Sequence, residues 1–184
     1  MGKVIIGMTM SLDGFINDRN GAIDQLYPDL ESLHHTKYLQ NSIKNTGAVI
    51  MGKKAFGMAE DPDWFAGNYE YQVPIFVLCH AAPKKHPKET DRLKFVFVTD
   101  GIENAVKQAK AVAGEKDVTV IGGASTFQQL LRAEVADELH VDIMPILLSG
   151  DLRLFEHIGK QIKLEKIDVI EVGARTSLRF RIVK

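Results

Sequence analysis

A single cysteine, Cys79, among 184 residues rules out an internal disulfide and fits a reducing compartment. Net charge is equally scarce. The 23 Lys and Arg against 24 Asp and Glu leave −1, so no chain-wide field draws this protein to nucleic acid or to a membrane surface. Long apolar runs are missing too. The opening MGKVIIGMTM carries a lysine and is broken by Gly7 and Thr9, too short for a signal peptide, and no later stretch reaches about 18 uninterrupted apolar residues. Metal-ligand spacing is absent: His34 and His35 are adjacent rather than four apart. There is no internal repeat, low-complexity segment or linker. The expectation is one cytoplasmic domain over residues 1–184, whose 45% apolar content can fill one core.

Within that frame, strands and helices alternate. Lys3 to Met10, Ala48 to Gly52, Val73 to Cys79, Lys94 to Val98 and Asp117 to Ile121 read as short buried strands. A sixth and longer one covers ADELHVDIMPILL. Leu30 to Lys44 reads as one helix with Leu30, Leu33, Tyr38 and Ile43 on a shared face. Ile102 to Ala113 is a second, and STFQQLLRAE a third. Two alternating runs around Gly173-Ala174 form a hairpin. SLDGFINDRNGAID and HAAPKKHPKETDR are loops. This order predicts an α/β fold with a mostly parallel central sheet, antiparallel C-terminal strands and flanking helices.

The segment DVTVIGGASTF (Asp117 to Phe127) joins a strand to a helix through two glycines. In such sheets ligands bind beyond the carboxyl ends of the strands. Glycine lets a ligand approach the backbone, and a helix N-terminus favours an anion. Gly122 and Gly123 therefore read either as a diphosphate seat, with Ser125 or Thr126 capping the helix or donating a hydroxyl, or as a tight turn. There is no G-x-G-x-x-G. VIMGKKAF repeats the design: Lys53 and Lys54 after Gly52 are phosphate partners or a solvated turn. A third strand ends in His80, followed by Lys84, Lys85, His86 and Lys88. Lys53, Lys54 and His80 together would suit a ribose 2′-phosphate, hence NADP rather than NAD.

The succession MTMSLDGFIND, VIMGKKAF, IFVLCH, VTVIGGASTFQQLL and ADELHVDIMPILLSGDLRLF resembles the dihydrofolate-reductase-like superfamily. It is most similar to the branch containing the reductase domain of the bifunctional riboflavin-biosynthesis deaminase/reductase. The resemblance spans nearly the whole chain. It implies that Thr9 and Ile16 flank a nicotinamide carboxamide and that Gly52, Lys53 and Lys54 meet phosphates. It implies that Leu78, Cys79 and His80 line the adenosine end, and that Gly122, Gly123, Ala124, Ser125 and Thr126 carry the diphosphate. Lys53 stands where the family usually has arginine, and Ala55 where it commonly has threonine. Asp24-Gln25 replaces the Asp-Trp of related stand-alone proteins. The carboxylate that true dihydrofolate reductases carry on their first helix falls near Thr36, with Asp29 and Glu31 as other candidates.

Hydride chemistry also needs a proton source. Asp142, polar in an otherwise apolar strand, reads as a proton relay or substrate anchor, or else as an acid on the solvated face of an edge strand. Asp24 reaches the substrate mouth or merely forms a turn, and Asp13 shapes the Asp-Gly turn. Trp64 packs a lid or anchors its loop. Three functions compete: an NADPH-dependent reductase of a pyrimidine, pterin or similar heterocycle; a true dihydrofolate reductase; and a nucleotide-binding module without chemistry. The tail strands suggest a homodimer through the C-terminal sheet.

Overall fold

β1 (Val4–Ser11), β2 (Thr46–Gly52), β3 (Ile75–Leu78), β4 (Phe95–Val98), β5 (Asp117–Ile121) and β6 (Glu138–Met144) are rich in Val, Ile and Phe. Such residues suit strands covered on both faces. In the computed structural model, which describes residues 2–184 and so leaves the first residue of the expected domain outside, these six strands are parallel. β7 (Leu164–Val172) and β8 (Arg175–Ile182) close the sheet as an antiparallel hairpin on β6, giving the order β4-β3-β2-β5-β1-β6-β8-β7.

Alternation along β2 shows the two layers. Ile50 joins Val4, Ile6, Phe76 and Val120 against α5 (Ile102–Ala113) and α6 (Ala124–Arg132). Val49 and Met51 face the other way, toward Leu33 of α1 (Leu30–His34), Leu39 of α2 (Lys37–Asn45) and Phe56 of α3 (Lys53–Phe56). A 3-10 turn, Pro62–Trp64, and the short α4, Phe65–Asn68, add Phe65 to this second core. Trp64 is exposed and packs its edge on Phe65, so it anchors its loop.

Most expected bounds shift by a residue or two, and two elements change by more. The single helix over Leu30 to Lys44 is two helices, because Thr36 adopts an extended backbone and its hydroxyl accepts from Leu39 N–H as the N-cap of α2. Leu30 is accordingly exposed rather than on the buried face. The sixth strand stops at Met144. β6 is bonded on both sides, and Pro145 has no N–H to continue the ladder. No helix among the described residues is long and apolar enough to cross a membrane.

Candidate functional site

The carboxyl ends of β3, β2, β5 and β1 lie side by side in that order, and the residues singled out from the sequence fall on those ends in turn. On β3, Leu78 is the register partner of Gly52 and is followed by buried Cys79 and exposed His80. β2 ends at Gly52, and Lys53 and Lys54 are exposed at the start of α3. Among the described residues neither lysine makes an ion pair, in contrast to Lys85, which is drawn to Asp63 at 2.6 Å. Lys88 N–H also bonds Asp63, so part of the basic loop is spent on the Pro62–Trp64 turn rather than offered to a ligand.

At β5 the glycine pair adopts φ +72 at Gly122 and +60 at Gly123, a region where side chains are strained. Gly123 is the N-cap of α6, and among the described residues no side chain caps it. The first-turn N–H groups, at Ala124, Ser125 and Thr126, therefore lack intrahelical acceptors, and a Cβ at Gly123 would stand in open space. Neither hydroxyl expected to cap the helix does so: Ser125 accepts from Gln129 Nε2 and Thr126 is buried. Thr126 instead faces β2, where a Cβ on Gly52 would come within 2.5 Å of its Oγ1. Gly52 N–H reaches Gly122 O at 3.4 Å. The two glycine-bearing strand ends thus form one open backbone surface, a helix N-terminus beside two uncommitted lysines. That donor set fits a dinucleotide's phosphates.

β1 continues the row. Thr9 is buried, with Asp142 of β6 as its register partner. Ile16 follows in the loop after β1, its N–H donated to Leu152 O. Asp142 is only 8% exposed, and β6 lies between β1 and β8, which overturns the reading of a solvated edge-strand acid. Its Oδ1 accepts from the Tyr38 hydroxyl at 2.8 Å, and its Oδ2 lies 3.4 Å from Arg175 Nη1. Arg175 also pairs with Asp29, and Ser177 Oγ donates to the Tyr38 oxygen at 3.2 Å. Arg175 is 1% exposed, its guanidinium lies 5.7 Å from the Tyr27 ring centroid, and its Nε has no hydrogen-bond partner among the described residues.

The result is a buried cation between two acids, with a phenol attached. Burial, reinforced by the charge on Asp142, pushes the Tyr38 hydroxyl up to about 12, so it stays protonated and can hold a proton next to the acid. Burial likewise pushes up the Tyr27 hydroxyl. Asp29, which precedes α1, is the acid that enters from the helical layer; Glu31 is exposed. Asp24 is not brought into this group: it is exposed in the 3-10 turn Asp24–Leu26. Arg175, Tyr27, Tyr38 and Ser177 escaped sequence reasoning. The pairing of Asp142 with Ser177 across β6 and β8 brings Ser177 to this acid, and only knowledge of that register could have signalled it.

A family model described as the RibD C-terminal domain matches residues 2–178. The uncharacterized protein YyaP of Bacillus subtilis (strain 168) is 27% identical over 177 residues, covering 90% of this chain and 87% of that protein. The crystal structure of a candidate riboflavin biosynthesis protein from Shewanella sp. PV-4 superposes with a TM-score of 0.80 at 21% identity, covering 99% of each chain. Dihydrofolate reductase from Enterococcus faecalis, solved with NADP(H), superposes with a TM-score of 0.65 at 16% identity, covering 100% of this chain and 98% of that one. The fold is therefore dihydrofolate-reductase-like.

Proposed function

Because this chain belongs to the RibD C-terminal domain family, we propose that it is an NADPH-dependent reductase of a small heterocycle of pyrimidine or pterin type. One observation carries the reading. The sheet order β3-β2-β5-β1 arranges the adenosine, 2′-phosphate, diphosphate and nicotinamide candidates in the order in which those parts follow one another in a dinucleotide.

In this reading Lys53, Lys54 and His80 hold the 2′-phosphate. Lys53 contributes a point charge rather than a guanidinium fork. The α6 N-terminus holds the diphosphate, with Gly52 and Gly122 permitting close approach. Thr9 and Ile16 border the nicotinamide end. NADPH supplies a hydride when bound. The chain's own part is to hold the heterocycle beside β1 and to manage a proton. Asp142 accepts from Tyr38 and anchors or relays, while Arg175 keeps the acid pair from being two unpaired buried charges. Placing the reacting groups is the larger share of such catalysis.

The test is anaerobic incubation with NADPH and a panel of oxidised pyrimidines and pterins, following loss of the reduced-nicotinamide absorbance. Turnover that falls steeply in Asp142→Asn with NADPH binding intact supports the reading; tight NADPH binding without turnover of any panel member contradicts it. A homodimer through the C-terminal sheet belongs to the same proposal. It rests on β7 being an edge strand with Leu164, Ile167 and Val169 exposed, and sedimentation equilibrium that finds only a monomer contradicts it.

A further inference from the structure

We propose that Asp13 is a positioning residue for the nicotinamide end of the site: its carboxylate staples the loop after β1 to the segment after β6, making the two a preformed wall. The assignment of the wall to a nicotinamide rests on the reductase reading above. The staple itself is a matter of geometry. Asp13 does more than shape its own turn. Its Oδ1 accepts from Ser11 Oγ at 2.5 Å and from Leu148 N–H at 3.0 Å, and its Oδ2 accepts from Ser149 N–H at 2.8 Å. Two of these donors lie 135 and 136 residues away in sequence. The Ser11 hydroxyl, with the Ser149 and Leu148 N–H groups, holds the Asp13 carboxyl down at about 2. The charged form is therefore the one present at neutral pH.

The rest of the seam follows the same line. Leu12 N–H donates to Ile146 O at 2.9 Å, Ile16 N–H to Leu152 O at 2.9 Å and Leu154 N–H to Gly14 O at 3.0 Å. Asn17 Oδ1 accepts from Leu152 N–H at 2.8 Å. Ser149 is held at φ +46, an uncommon conformation for a residue with a side chain. It is pinned from both sides, its N–H by Asp13 and its carbonyl by Arg19 Nε at 2.9 Å. Strain kept by surrounding contacts marks a segment whose position is over-determined. The seam starts at the carboxyl ends of β1 and β6, where Thr9 and Asp142 are partners, and it leaves Leu12 and Leu147 as apolar, 64% and 69% exposed edges. Ile16, tied into this seam, is thereby fixed relative to Thr9. A carboxylate is the group the geometry asks for: every donor it meets is an N–H or O–H, and an amide in its place would turn its own N–H against one of them.

The test compares wild type with Asp13→Asn by amide hydrogen exchange and by titration with two ligands, NADPH and 2′-phospho-ADP-ribose, which lacks the nicotinamide. In wild type the amides of Leu148, Ser149 and Leu152 exchange slowly with or without ligand. In Asp13→Asn they exchange faster, NADPH binding weakens by about tenfold or more, and 2′-phospho-ADP-ribose binding is unchanged. Asn17→Ala, which removes one seam bond, gives the same pattern at smaller size and serves if Asp13→Asn does not fold. Rapid exchange at Leu148 and Ser149 in wild type overturns the staple. Equal weakening of both ligands, or of neither, overturns the positioning role. Wild-type protein that keeps its slow amides but binds neither ligand overturns the reductase reading and the nicotinamide assignment together, with the staple standing.

Discussion

Arg175 shows most plainly what one residue does in this molecule. It is a buried cation shared by Asp29 and Asp142, and removing it leaves two carboxylates without their common counter-charge in a largely buried site. Arg175→Ala is expected to cost about 3–5 kcal/mol of stability, read from urea denaturation midpoints. Adding Asp142→Asn to that variant recovers part of the loss, because one uncompensated charge disappears. Additive losses in the double variant contradict the account. The sequence made Asp142 conspicuous, since an acid in an apolar strand needs a reason. It did not make Arg175 conspicuous. In TSLRFRIVK and its flank, charges alternate with apolar residues as in any half-exposed hairpin, and which of Arg175, Arg179 and Arg181 is buried depends on partners up to 146 residues away.

At the scale of elements, the strand–turn–helix of β5 and α6 was legible because two glycines between a β-branched run and an amphipathic run have few other uses. Its consequence is sharp. Gly122→Ala places a side chain at φ +72 and sets its Cβ 2.8 Å from the Ala55 Cβ. The left-handed conformation alone costs about 1–2 kcal/mol, and the contact adds to it. The expected outcome is a lowered melting temperature and weakened NADPH binding, with Ala55→Gly relieving the contact and not the conformational cost. Full rescue by Ala55→Gly would show that φ is not what demands glycine there. The break between α1 and α2 shows only weakly in the spacing: Leu33 and Tyr38, five residues apart, stand about 140° from each other at 3.6 residues per turn, so the shared face is loose across Thr36. What decides it is a hydroxyl that caps the second helix, a local competition that spacing does not register. The end of β6 at Pro145 follows from its having neighbours on both sides, which the chain order of strands conceals.

On the scale of the whole molecule, the strands could be read one by one, but their adjacency could not. Chain order places β5 far from β1 and β2, and the sheet inserts it between them. That insertion brings the glycine pair beside the lysines and turns scattered motifs into a row. Stability of the whole should also report on the sheet's polar flank. Burial holds the His140 imidazole below its ordinary 6.5, against the opposing pull of Glu138 and Asp142 and with Arg179 nearby disfavouring a further charge. A base depressed in the folded state binds its proton more readily unfolded, so stability falls as pH drops through the ordinary histidine range. Between about pH 7 and about pH 5, His140→Gln is expected to flatten that slope, and an unchanged slope in denaturation at each pH contradicts the assignment. Calorimetric titration of the protein with NADPH and NADH reads out whether the four neighbouring strand ends hold NADPH as proposed. The expected result is tighter binding of NADPH, with Lys53→Ala narrowing the difference by about tenfold. Folded protein that binds neither cofactor, or binds both equally with Lys53→Ala unchanged, contradicts it.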